Sequence, residues 1–139
     1  MVGYLDSSSV LGFILEGNTD LTQVVALEAL FSSELLGIEC RRAILRDKIR
    51  GKLSDDAVLD AFEKLSWILG RLNSLELSPE IKRRAGEAFP IHVKTLDALH
   101  LATALAVKAE FEEDVVVFSR DQGMNRGTKA LGLAAPWYS

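Results

Sequence analysis

Residues 95–124 read TLDALHLATALAVKAEFEEDVVVFSRDQGM, and this stretch decides the fold. From Leu96 to Ala109 it is apolar nearly all round, with Thr95 placed to cap it. Such a segment predicts a helix buried among other elements rather than an amphipathic surface helix. Val115 to Ser119 is a run rich in β-branched residues, which predicts a buried strand. A further helix is predicted from about Asp121 to Leu131. A strand without polar alternation, set between two helices, belongs to a parallel sheet covered on both faces.

The same alternation extends outward to both ends of the chain. Val2 to Leu5 is a short apolar run ending at Asp6, and Ser7, Ser8 and Ser9 are good caps for a helix over about Val10 to Leu15 that stops near Gly17 and Asn18. A second short strand is expected within residues 26–31. Ser32 and Ser33 would cap the next helix, which carries Glu34 in its first turn and ends in basic residues before Gly51. Ser54 caps a helix from Asp55 to about Leu65, residues 71–78 hold a third strand, and Pro79 opens a helix that ends before Pro90. The tail after Gly132 has room for a short final strand. With no repeat, low-complexity tract or linker, residues 1–139 are expected to form one domain with an α/β fold.

Composition narrows the function. The chain is 48% apolar and 26% charged, with a net charge of −4. Overall acidity argues against a dedicated nucleic-acid binder, so such binding would need a local basic rim, a bound cation, or both. Cys40 is the one cysteine, so no internal disulfide can form, consistent with a reducing compartment. No apolar run is long enough to span a membrane, since Leu99 to Val107 is short and contains His100 and Thr103. No basic segment followed by a long apolar run marks a signal peptide, and a cytoplasmic protein is expected.

Four acids then claim a role. In a parallel sheet, ligands bind at the carboxyl ends of the strands. Asp6 follows the first strand and Asp121 follows the "VVVFS" strand. Asp97 sits in the first turn of the most apolar helix. Glu39 shares a helix side with Leu35, Leu36 and Ala43, so it faces the protein and needs a partner there. Each has a plainer role: Asp6 and Asp121 as caps or turn residues, Asp97 as a dipole complement, Glu39 as a surface acid paired with Arg42 or Arg46. Together, four acids from four elements would repel unless a cation compensates them, and magnesium or manganese prefers such hard oxygen ligands.

The motifs "YLDSSSVL" (4–11), "SSELLGIECRRAI" (32–44), "KTLDALHLATAL" (94–105) and "VVVFSRDQGM" (115–124) stand in that order along the chain. In this order and content the chain resembles the PIN-domain ribonucleases, and in particular the VapC-type toxins of VapBC toxin–antitoxin pairs. The third block is the specific one. Ser119 stands where threonine is commoner in the family and can make the same hydrogen bond. The resemblance implies a three-layer sandwich around a central, mainly parallel sheet. It also implies a metal-dependent endoribonuclease in which Asp6, Glu39, Asp97 and Asp121 hold Mg2+ (or Mn2+) and are the catalytic set. Ser7 and Ser119 would orient those carboxylates or the substrate. RNA, in the family often transfer RNA, is the implied substrate, cleaved so that translation stops. A homodimer and a cognate antitoxin protein are the implied partners.

The remaining candidates carry less. His100, one turn after Asp97, reads as a packed residue of an apolar helix. Arg42 and Arg46 follow Glu39 in a basic run, and Lys94 precedes Asp97; these three are candidate RNA contacts that would supply the missing positive rim. Phe62, Leu65, Trp67 and Leu69 form either core or a partner surface. A phosphoacceptor receiver domain is disfavoured because serines, not a second acid, follow Asp6, and because Asp97 opens a helix. An inactive PIN module is disfavoured by the presence of all four acids. A PIN nuclease of RNA processing differs from the toxin reading only by analogy of size.

Overall fold

The computed structural model describes residues 1–27 and 29–139. In chain order the elements are β1 (Val2–Leu5), α1 (Ser7–Glu16), α2 (Asp20–Val24), β2 (Leu30–Ser33), α3 (Leu35–Ile49), α4 (Asp55–Leu69), β3 (Asn73–Leu75), α5 (Pro79–Ala85), α6 (Thr95–Phe111), β4 (Val115–Phe118) and α7 (Gln122–Ala130). The four strands form one parallel sheet in the order β3-β2-β1-β4. This is the α/β sandwich expected from the alternation of short apolar strands with helices.

Alternate residues of the strands feed two separate cores, as period-two geometry requires. Leu5, Leu30, Val116 and Phe118 point to the side of α1, α3 and α4, where they meet Val10, Ile14, Leu36, Ile44, Leu65 and Ile68. Val2, Tyr4, Phe31, Val115 and Val117 point to the other side, against Leu101, Ala104 and Val107 of α6 and Met124 of α7. A helix layer on each face explains why β1 and β4 show no polar alternation. It also explains the apolar character of α6, which is buried along much of its length.

Several local expectations are corrected. The serines at 7–9 do not cap α1; they are its first turn, because Asp6 accepts from Ser9 N at 3.1 Å and is itself the cap. Ser32 and Ser33 belong to β2 and Glu34 takes the cap position of α3, although Ser33 Oγ still accepts from Leu35 N at 3.1 Å. The strand begins at Leu30, later than expected, and residue 28 of the expected range lies outside the described residues. Its central place between β1 and β3 satisfies its backbone, while Ser32 Oγ donates to Leu5 O at 2.6 Å. Thr95 is the first helical residue of α6 and Lys94 is its cap position. A short helix, α2, was not anticipated. The tail makes a single bridge, Val116 to Ala134, rather than a strand. Leu65 is core, Phe62 and Leu69 pack against it, and only Trp67 of that group is well exposed, with Arg71 stacked on its ring.

Among the described residues, no helix is long and apolar enough to cross a membrane.

Candidate active site

All four strands end at one edge, and chain connectivity delivers the acids there. Asp6 follows β1 directly. Leu5 is in register with Phe118, so Ser119 and Asp121 emerge next to Asp6. A helix that leads into a parallel strand must run back along the sheet, so α6 starts at the edge where the strands end and presents Asp97 in its first turn. Helix α3 leaves β2 at the same edge and carries Glu39 one turn in. Asp6, Glu39, Asp97 and Asp121 line one cavity of about 370 Å³, together with Ser7, Ser8, Lys94 and His100. A larger cavity, about 690 Å³, opens beyond Thr95; its lining mixes polar and apolar groups, and Glu87 is its one acid.

Asp6 is 3% exposed and fully engaged. Its Oδ2 accepts from Ser119 Oγ at 2.6 Å, its Oδ1 from Ser8 Oγ at 2.8 Å, and Ser9 N completes the set. Burial pushes its carboxyl pKa up, against the opposing pull of the Ser119 and Ser8 hydroxyls. Ser119 also accepts from Asp121 N at 3.0 Å, so one hydroxyl ties the first acid to the loop bearing the last. Asp121 caps α7 through Met124 N, so the plainer role foreseen for it is filled; its second oxygen has no such bond.

Asp97 is perturbed too. Its pKa is pushed up to about 6, first by burial and then by the charges of Asp121 and Asp6. Gly123 leaves space between the two carboxylates. A Cβ there would lie 3.1 Å from Asp121 Oδ1 and 3.7 Å from Asp97 Oδ2.

Glu39 meets neither Arg42 nor Arg46. Its partners are Ser7, which donates to Oε2 at 3.1 Å, and His100, whose Nε2 lies 2.6 Å from Oε1. A carboxylate can only accept, so Nε2 carries the proton. Nδ1 is 2.8 Å from the hydroxyl of Tyr4, which burial keeps well above the ordinary phenol pKa and therefore protonated. Tyr4 can donate to a neutral ring or accept from a charged one, so this buried clamp on Glu39 survives either state. His100, 2% exposed, is thus packed, as expected for an apolar helix, but its packing role is to hold an acid.

The donor set suits a hard cation, because it is all carboxylate and hydroxyl oxygen crowded enough to raise Asp97. Among the described residues, however, no group of three or more His, Cys, Asp or Glu side chains closes into a ready-made metal cluster. Asp6, Glu39 and one oxygen of Asp121 already have hydrogen-bond partners. Magnesium keeps several of its waters and takes only one or two carboxylates directly, so a partly preoccupied set still fits it.

Of the basic residues foreseen as RNA contacts, Lys94 lines the acid cavity itself. Arg46 lines an adjoining groove and Arg42 lies farther out on α3. Ser8, Arg120 and Tyr4 were not singled out from the sequence. Tyr4 had a detectable signal, since a tyrosine in a buried strand needs a partner for its hydroxyl.

Comparison with known proteins agrees with this fold. A family model described as PIN domain matches residues 3–129. No curated protein sequence matches the chain. Among solved structures, the chain is similar to one in VapBC2 from Rickettsia felis bound to a DNA fragment from their promoter, with TM-score 0.67, 14% identity and 97% of each chain covered. It is similar to PAE2754 from Pyrobaculum aerophilum, with TM-score 0.60 and 16% identity over 97% of this chain and 83% of that one. It also resembles a chain of VapBC-1 from nontypeable Haemophilus influenzae, with TM-score 0.61 and 11% identity over 97% and 96%. At these identities the likeness establishes a shared fold.

Proposed function

The chain belongs to the PIN-domain family, and from that premise we propose that it is a metal-dependent endoribonuclease, the toxin of a toxin–antitoxin pair. The observation that carries this reading is the convergence of Asp6, Glu39, Asp97 and Asp121 on one cavity at the carboxyl edge of the sheet. Asp97 and Asp121, with Asp6 and Glu39 behind them, would hold Mg2+ or Mn2+, directly or through water. A divalent metal so held supplies a water of lowered pKa and stabilises charge on a phosphoryl oxygen. The protein's own groups do the rest. Ser119 and Ser8 fix Asp6, His100 and Ser7 fix Glu39, and the Asp121 cap fixes the start of α7. Lys94, at the cavity wall, is placed to meet a phosphate that approaches Asp97.

Two similar structures are VapBC assemblies, which supports a cognate antitoxin as partner of this chain too. RNA as substrate, arrest of translation, a homodimer, residues 1–139 as one domain and a cytoplasmic location belong to the same reading.

The test is Asp97→Asn with purified protein, RNA and magnesium or manganese. Cleavage falls to background, while the fold is retained, because the change removes a carboxyl that is costly to ionise in place. A variant that still cleaves RNA at the wild-type rate would sink the assignment.

A further inference from the structure

Beside the acid cavity runs a second groove of about 520 Å³, and the two share Ser8 and Asp121 as a common wall. Four cations line it: Arg46 from α3, Arg50 at its C-cap, Lys52 just beyond, and Arg120 from the loop between β4 and α7. Glu16, Asp47 and Asp121 temper the charge. Asp47 lies 3.7 Å from the neighbouring Arg46, whereas among the described residues Arg50 and Lys52 have no ion-pair partner.

Arg120 is built in rather than draped over the surface. Its Nη2 donates to Asp20 Oδ2 at 2.9 Å, and its guanidinium lies 4.6 Å from the ring centre of Trp137. Its backbone N donates to Ser8 Oγ, the hydroxyl that holds Asp6. The stem crosses α1 at Gly12, where a Cβ would come within 2.7 Å of Nε. That Nε is buried without a hydrogen-bond partner among the described residues. The buried Nε faces α1 and is closed to a ligand, and Nη2 is taken by Asp20. What the seating does is fix a part-exposed guanidinium one residue from Asp121, with Nη1 uncommitted among the described residues and free to meet an anion in the groove.

We propose that this groove is the track for the sugar–phosphate backbone of a single-stranded polynucleotide. Arg120 takes the phosphate next to the one that reaches the acid cavity, and Arg46, Arg50 and Lys52 take those beyond. Arg46 and Arg50 stand one helical turn apart, about 5–6 Å, a spacing on the order of that between consecutive phosphates. The track supplies the positive rim that the net charge of −4 denies the protein as a whole. It also sets the direction of exit: the strand leaves the acids on the α1/α3 side, away from the cavity beyond Thr95. This inference rests on the nuclease reading for the identity of the acid cavity.

Binding can be measured apart from cleavage. In an Asp97→Asn background, the affinity of a labelled, short single-stranded oligoribonucleotide is read by fluorescence anisotropy in magnesium buffer over a salt series. Arg50→Glu with Lys52→Glu changes two exposed side chains and leaves the core untouched. It weakens binding roughly tenfold or more and lowers the log-affinity-against-log-salt slope by ~0.7 per lost phosphate contact. Arg120→Gln weakens it as well. Lys108→Glu, near the far end of α6, binds like its parent. Groove variants that bind within roughly twofold of the parent would overturn the track and leave the groove to a protein partner. Failure of the unmutated protein to cleave RNA with any divalent metal would defeat the nuclease reading instead, and the anisotropy series would still decide the track.

Discussion

At the scale of single residues, the site is organised by what each carboxylate leans on. Asp6 is surrounded by hydroxyls, Glu39 by an imidazole and a hydroxyl, and Asp97 mainly by other acids. These surroundings predict different responses to mutation. His100→Ala strands a half-buried Glu39 carboxylate and the Tyr4 hydroxyl at once and opens a cavity. It should cost about 2–4 kcal/mol in urea denaturation. His100→Gln, which offers one donor to Glu39, should recover part of that loss. A His100→Ala protein as stable as wild type would show that the clamp holds nothing. The identity of the acids could be read from the chain, but not their partners. Tyr4 and His100 are 96 residues apart, and His100 and Glu39 are 61 apart.

At the scale of elements, the position of Asp121 depends on how closely α7 lies on α6. Gly127 makes that approach possible: a Cβ there would sit 2.8 Å from Leu101 Cδ1 and 2.9 Å from Val93 Cγ1. Gly127→Ala gains helix propensity worth about 1 kcal/mol but drives a methyl into packed side chains. The clash should win, with a net loss of about 1–2 kcal/mol by urea denaturation and reduced cleavage, because α7 carries its cap Asp121 outward as it shifts. A stabilised variant would mean that the interface is loose. The capping errors of the sequence reading arise at this scale too. Serines flank four predicted helix starts; Ser54 and Ser78 are side-chain caps, Ser33 reaches Leu35 N from the end of β2, and Ser7–Ser9 lie inside α1. Asp6 displaced Ser7–Ser9 because a carboxylate at the strand end already meets Ser9 N.

For the whole molecule, acids with raised pKa values tie stability to pH and to metal. Burial, with the charges of Asp121 and Asp6, pushes the Asp97 carboxyl up to about 6 from the ordinary 3.8, and burial raises Asp6 too. The folded state therefore binds protons more tightly than the unfolded one. Stability from this source is present at low pH and is lost as pH rises from about 4 to about 6. Thermal melts without metal should show wild type losing stability relative to Asp97→Asn across that window. Manganese, which binds the ionised acids, should raise the melting temperature of wild type increasingly over the same range, and chelator should reverse the gain. A difference between the two proteins that does not change with pH, or no shift on adding metal, would contradict a crowded acid site.

The sequence by itself determined the layered α/β fold and the edge at which Asp6 and Asp121 emerge. Uninterrupted apolar strands such as Val115–Phe118 must be covered on both faces, and residues after parallel strands must emerge at one end. It also determined which acids to consider, since Asp6, Asp97 and Asp121 are placed by local connectivity. Only the tertiary structure decided what those acids touch: the Tyr4–His100–Glu39 clamp, the Ser8–Ser119 cradle of Asp6, and the seating of Arg120 against Gly12 and Trp137. Hydrogen bonds act over about 3 Å, and the residues that make them here are distant along the chain. Periodicity and capping propensity carry no record of such meetings; they follow from strand register and helix packing, which exist only once the chain has folded.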